Sequence, residues 1–232
     1  MKVNLCWSWE APQKPADICV VFDVYAATSN ISLILSRNPQ KLFIVNENNV
    51  LALKEQFPDS LVIGESFYLP KDFFDSRNLP YLINQLDLED KIIMYMSNNG
   101  SRVIEDLVQK KVKKVITCSF NNMLSVFKWL KKQEIGEIDL VASGERGFND
   151  KKSWEDWYAG LSLKNLLGGK NFIENYTKKA KDFIENNYYQ KSSLSDLEST
   201  QNFPLIFTLN KYPLVPICQE NEGYLSVNSA KM

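Results

Sequence analysis

The stretch Ile18-Cys19-Val20-Val21-Phe22-Asp23, running on into Ala27-Thr28-Ser29-Asn30, decides how this chain folds. Five apolar residues in a row, without polar alternation, predict a strand covered on both faces, as in a parallel sheet with helices above and below. An acid closes the run, and small polar residues then open a helix. The same order recurs in Ile92-Ile93-Met94-Tyr95 before Ser97-Asn98-Asn99-Gly100-Ser101, and in Val115-Ile116-Thr117 before Ser119-Phe120-Asn121-Asn122. It returns once more in Leu140-Val141-Ala142 before Ser143-Gly144-Glu145-Arg146-Gly147. In an open parallel sheet such carboxyl ends share one edge, to which each following helix presents unpaired N–H groups and the positive end of its dipole. Anions are favoured there. Asp23, Glu65 and the pair Glu155/Asp156 fall at or beside such points, so phosphate with a divalent metal is the first chemistry to test.

Outward from that motif, Val3, Leu5 and Trp7 alternate with polar residues and predict a half-buried opening strand at a sheet edge. Helix then strand follow at 29–36 and 41–45, then at 48–56 and 60–64. Further on come strand 91–96, helix 101–111, strand 114–117, helix 122–132 and strand 137–142. This is the rhythm of a layered α/β/α fold with a mostly parallel, doubly wound sheet. Past Ser153 the texture changes. Trp154, Trp157, Leu161, Leu163 and Leu166 predict a buried helix stopping at Gly168-Gly169, and a second helix spans 171–187 with Lys and Glu on its solvated face. A short polar helix at 192–202 and one or two closing strands within 212–227 complete the chain. It reads as one domain over 1–232, with a subdivision open near 150 between a βα core and a helical region with closing strands.

A chain of 232 residues with 44% hydrophobic and 24% charged residues and a net charge of −1 describes an ordinary globular protein. It carries no basic excess to suggest nucleic acid. Charges at Lys2, Glu10, Lys14 and Asp17 break any signal-peptide core, and no run reaches the ~18 apolar residues a membrane span needs. The expectation is a cytoplasmic protein with a small anionic substrate and neither nucleic acid nor membrane as partner; a homodimer stays open. Cys6, Cys19, Cys118 and Cys218 form no C-x-x-C pair and read as reduced thiols. Cys118, at a strand end, is either a nucleophile activated by a helix N-terminus or a small residue that fits. The chain has no histidine, which excludes a Ser-His-Asp triad, a phosphohistidine and an imidazole zinc ligand. Acid–base work falls to carboxylates, Lys, Tyr, Cys or metal-bound water.

Asp23 and Glu65 each close an apolar strand. Two converging carboxylates plus phosphate oxygens suit Mg²⁺; equally, each could accept backbone hydrogen bonds from the following turn. Asn98-Asn99-Gly100-Ser101-Arg102 combines a turn signal with a hydroxyl at an N-cap and an arginine able to fork onto phosphate or sulfonate; that arginine reads equally as solvated. Gly144-Glu145-Arg146-Gly147 lacks the P-loop spacing, so nucleoside triphosphate binding has no support. In Trp154-Glu155-Asp156-Trp157 the adjacent acids point about 100° apart, so at most one faces a given site, and both also suit a helix start.

Taken in order, these segments resemble the 2-phosphosulfolactate phosphatase family, the ComB-like proteins of coenzyme M biosynthesis, nearly end to end. The family's V-V-x-D-V-x-R-A-T-S-T appears as Val20-Val21-Phe22-Asp23-Val24-Tyr25-Ala26-Ala27-Thr28-Ser29-Asn30, and its G-E-R as Gly64-Glu65-Ser66. Its F-D-x-G-N-S-P appears as Phe74-Asp75-Ser76-Arg77-Asn78-Leu79-Pro80, and T-T-N-G-T-R as Ser97-Asn98-Asn99-Gly100-Ser101-Arg102. Its S-F-x-N is matched by Ser119-Phe120-Asn121-Asn122, and its E-D-x-x-x-A-G by Glu155-Asp156-Trp157-Tyr158-Ala159-Gly160. The resemblance implies an α/β fold and Mg²⁺-dependent removal of phosphate from a small sulfonated acid. Asp23, Glu65 and Asp156 would be catalytic, with Glu155 joining them as metal ligands. Thr28, Ser29, Asn78, Asn99, Gly100, Ser101, Arg102, Ser119, Asn122, Gly144 and Arg146 would hold the substrate. Two family arginines are absent: Ala26 and Ser66 stand in their places, a loss of two cations beside an anion site, with Arg77 and Arg146 as candidate replacements. Two functions follow: a Mg²⁺-dependent phosphatase whose nucleophile is metal-bound water or a carboxylate, or an impaired relative that binds a phosphorylated or acidic metabolite without turnover.

Overall fold

A computed structural model describes residues 1–12, 14–145, 151–189, 196–221 and 223–230. Among them the strands are β1 (Lys2–Trp7), β2 (Ile18–Phe22), β3 (Lys41–Ile44), β4 (Leu61–Gly64), β5 (Ser76–Arg77), β6 (Ile92–Met96), β7 (Lys114–Thr117), β8 (Glu137–Ala142), β9 (Pro216–Asn221) and β10 (Tyr224–Ser229). The helices are α1 (Ala27–Leu35), α2 (Val50–Gln56), α3 (Pro80–Ile83), α4 (Gly100–Gln109), α5 (Met123–Lys131), α6 (Trp154–Leu167), α7 (Ile173–Ile184) and α8 (Asp196–Phe207). All ten strands form one mixed sheet, in the order β1-β8-β2-β7-β9-β10-β3-β6-β4-β5.

Opposite faces of each strand feed different cores, as period-two side chains require. Cys19, Val115, Cys218 and Val227 are register partners across β2, β7, β9 and β10, and all enter the same central cluster. That cluster is completed by Ile31 and Ile34 of α1 and by Val103, Ile104 and Leu107 of α4. On the other face, Val20 and Phe22 pack with residues of α5, α6 and α7. Phe43, Val62 and Met94 pack there against Val50 and Leu53 of α2. The expected α/β/α layering and mostly parallel pairing are present.

The sheet is not wound as one parallel series, however. β1-β8-β2-β7 and β3-β6-β4-β5 are each parallel, but the closing hairpin β9-β10 pairs antiparallel to both, so the two blocks run in opposite senses. The closing strands sit in the middle of the sheet rather than at its edge. Five steps separate β2 from β6. A twist of about 20–25° per step accumulates to about 100–125°, turning nominally opposed strands toward a crossing and letting their carboxyl ends meet. The meeting is direct: the Gly100 N–H, at the start of α4, donates to Asp23 Oδ2 at 2.7 Å. The segment between β4 and β6, to which the sequence pattern assigned no element, holds β5 and α3, which begins with Pro80 in its first turn.

Candidate active site

Asp23 is the buried end of β2, 6% exposed. Its carboxylate occupies the place that helix dipoles offer to an anion. Oδ1 accepts the Ala27 N–H at 3.3 Å from α1, and Oδ2 accepts the Gly100 N–H from α4. Burial nevertheless pushes its pKa up to about 6; the Ala27 and Gly100 amides oppose the rise, and Glu65 adds to it. The charge acting on this buried acid therefore has its own sign. Gly100 is required by the approach: a Cβ there would lie 2.6 Å from Asp23 Oδ2.

Glu65 reaches the same place from the other block. It follows Gly64, the register partner of Met96, and its N–H donates to Met96 O at 3.1 Å. Both acids act on the buried Tyr95, whose hydroxyl burial drives well above its ordinary range, with the two carboxylates pushing the same way. That hydroxyl donates to Asn78 Oδ1, which also accepts Asn30 Nδ2 at 2.8 Å. With Oδ1 doubly engaged, the amide NH₂ of Asn78 is left for the cleft.

That cleft, about 200 Å³, is lined by Glu65, Ser66, Lys71, Arg77, Asn78 and Asn98 among others. That volume is below the roughly 300–1,000 Å³ of pockets for drug-sized ligands, the scale of a small metabolite. Of the residues singled out from sequence, Glu65 and Asn78 line it, and the candidate replacement Arg77 joins them. Lys71 carried no motif signal, and Asn98, Asn30 and Tyr95 stood inside quoted motifs without being named as site residues.

Several other sequence candidates are fully engaged in local bonds. Thr28 Oγ1 accepts from Asp23 N and donates to Asp23 O at 2.8 Å. Ser29 Oγ donates to Val24 O and shares a hydrogen bond with Ser119 Oγ at 2.7 Å. Asn122 Oδ1 accepts the Ser119 N–H, while Ser101 Oγ accepts from Ser97. Asn99 is the half-buried N-cap position of α4. Arg102 lies against Glu47 at 2.9 Å and over the Tyr68 ring. Burial works against ionisation of Glu47, yet the Ser66 hydroxyl and Arg102 help hold its carboxyl below the usual range.

Asp156, 2% exposed, joins two strand ends: Oδ1 accepts Val24 N–H at 2.7 Å and Oδ2 accepts Gly144 N–H at 3.0 Å. Burial, then Glu155 and Asp23, raise its pKa well above the carboxylate range. Glu155 is buried beside it. Arg146 lies outside the described residues. Burial also pushes the Cys118 thiol well above its usual range, which removes the thiolate a nucleophile needs and corrects that alternative; all four cysteines are free thiols.

No group of three acids, thiols or imidazoles gathers as a metal cage among the described residues, so the four acids named from sequence do not form one centre. Mg²⁺ is commonly held by one or two carboxylates with waters and substrate phosphate completing its shell, and Asp23 and Glu65, the second of which acts electrostatically on the first, are the acids that could supply them. No helix among the described residues is long and apolar enough to cross a membrane.

Comparison with known proteins identifies the relatives of this sequence. A family profile described as 2-phosphosulpholactate phosphatase matches residues 8–221. A probable 2-phosphosulfolactate phosphatase of Thermoplasma volcanium is 28% identical over 198 residues, covering 85% of this chain and 90% of its own length. Its counterpart in Thermoplasma acidophilum is 24% identical, over 74% and 75% of the two chains. That of Thermotoga petrophila is 32% identical, over 67% and 66%.

Proposed function

The chain belongs to the 2-phosphosulpholactate phosphatase family, and from that premise we propose that it is a Mg²⁺-dependent phosphatase acting on a small phosphorylated sulfonic or carboxylic acid. One observation carries the reading. Asp23 is a buried carboxylate whose acting neighbour is another carboxylate, Glu65. Keeping like charges together costs stability, and a cation held by these two residues would offset that cost.

In this reading the chain's own groups divide the work. Asp23 is held by two helix N-terminal amides, so its oxygens are fixed before substrate arrives. Glu65 lines the cleft and completes the pair. Mg²⁺ bound there would draw charge from the phosphate oxygens as the ester P–O bond breaks. Asn78, fixed by Tyr95 and Asn30, offers its amide N–H to a phosphate oxygen. Water attacks phosphorus, its proton passes to a carboxylate or solvent, and the leaving alkoxide oxygen recovers one, so phosphate and the free hydroxy acid balance the reaction.

A phosphate-release screen over phosphorylated C3 and C4 acids, including 2-phosphosulfolactate, tests this with Mg²⁺ and with chelator. Turnover lost on chelation is expected. Saturable binding without release would instead support an impaired relative, the reading that Ala26 and Ser66 in place of two family arginines first raised.

A further inference from the structure

Resting on the phosphatase reading, we propose that Lys71 and Arg77, rather than Arg102, are the cations that grip the substrate's non-reacting acid group and so set specificity. The cleft beside Glu65 contains two cationic side chains, Lys71 and Arg77. Neither forms an ion pair within 4.0 Å among the described residues, where Lys2, Arg102, Lys113 and Lys151 each do. Asp75, the nearest acid in sequence to Arg77, is occupied: its Oδ2 accepts the Val62 N–H at 2.7 Å.

Arg102 differs. Glu47 neutralises it at 2.9 Å, and the Tyr68 ring lies beneath its guanidinium. Redirecting it to a ligand would break that pair and leave the Glu47 charge without its cation, held by the Ser66 hydroxyl. Lys71 and Arg77 lose nothing by turning to an anion.

Charge separates the two ends of the substrate. Glu65 lines the cleft and repels an unaccompanied anion, so a phosphate is tolerated beside it only with a cation. A carboxylate or sulfonate on the same small molecule needs positive charge elsewhere in the cleft, and Lys71 and Arg77 supply it. Arg77 offers a planar fork that suits either group, and Lys71 a mobile point charge. The favoured class is therefore a phosphomonoester whose acid group lies within a few bonds of the phosphate, as a cleft of about 200 Å³ demands.

The test is binding, which does not depend on turnover. Affinities of 2-phosphoglycolate and methyl phosphate are measured by calorimetry with Mg²⁺ for the wild type, Lys71→Gln, Arg77→Gln and Arg102→Gln. Thermal melts check the fold of each variant, and exposed substitutions of this kind rarely unfold a protein. The wild type should prefer 2-phosphoglycolate, and Arg77→Gln should cut that preference about ten-fold, as loss of a charge-assisted bond implies, with Lys71→Gln acting in the same direction. Arg102→Gln should change both affinities alike. A preference that survives both cleft substitutions, or that disappears in Arg102→Gln, overturns the assignment while leaving the phosphatase reading standing. Failure of the wild type to bind either ligand overturns both.

Discussion

Asp23→Asn removes the buried charge while keeping its shape, and the structure sets the size and sign of the effect. A carboxyl moved from 3.8 to about 6 by folding corresponds to about 3 kcal/mol of destabilisation at neutral pH, at about 1.4 kcal/mol per pKa unit. The sign follows from proton counting. Between about pH 4 and 6 the folded carboxyl keeps a proton that the unfolded one has released. Stability therefore falls as pH rises through that window, and the cost is fully present above it. Asparagine escapes this cost but keeps only one acceptor, so one of the Ala27 and Gly100 N–H groups loses its partner for about 1–3 kcal/mol. Net stabilisation of about 0–2 kcal/mol is expected at pH 8 with chelator present, at about 2–4 °C in Tm per kcal/mol for a chain of this size. At pH 4 the variant should be the less stable of the two. Adding Mg²⁺ at a hundred times its Kd should raise wild-type stability by about 2.7 kcal/mol and leave the variant unmoved. Thermal melts at both pH values, with and without Mg²⁺, check this. A loss above about 3 kcal/mol at pH 8 that is independent of pH, with Mg²⁺ stabilising both proteins alike, would show Asp23 to be a turn acceptor and refute the reasoning.

Gly100→Ala places a methyl group 2.6 Å from Asp23 Oδ2 and 2.7 Å from Ala27 Cβ; about 1–3 kcal/mol of stability should be lost in denaturant melts, together with phosphate release. The two positions where the family resemblance implies arginine should not be equally restorable. Ala26 is 5% exposed, so Ala26→Arg should misfold or melt early, whereas the half-exposed Ser66 should accept arginine. Ser66→Arg should tighten 2-phosphosulfolactate binding only modestly in calorimetry, because Glu47, now partnered by the Ser66 hydroxyl at 2.6 Å, would compete for the new cation; the gain should shrink with salt.

The βα rhythm was legible because strands buried on both faces carry apolar runs such as Ile18–Phe22; the expected strands 137–142 and 114–117 coincide with β8 and β7, and the alternation of Val3, Leu5 and Trp7 announced the edge strand β1. The opposition of the two blocks was not, since it depends on where a C-terminal hairpin inserts, and pairing partners some hundred residues apart leave no local pattern. At the site, Asp23 and Glu65 were visible as acids ending apolar strands. Many of the small polar residues after those strands proved to be bonded to their own turns, because Ser, Thr and Asn serve a helix start and a ligand with the same atoms. Arg102 looked available only because Glu47, 55 positions earlier, is invisible as its partner from sequence. Lys71, in an unremarkable Pro-Lys-Asp turn, becomes a cleft residue only when β4 is folded beside β6.

The central claim is that Asp23 and Glu65 together support phosphate hydrolysis through a divalent cation. A Mg²⁺ titration of phosphate release from 2-phosphosulfolactate, run on chelator-stripped wild type and Glu65→Gln, tests it most directly. Saturable recovery of turnover in the wild type and none in Glu65→Gln is the expected result. Equal turnover by the two proteins, or turnover in the wild type with no divalent cation present, would contradict it.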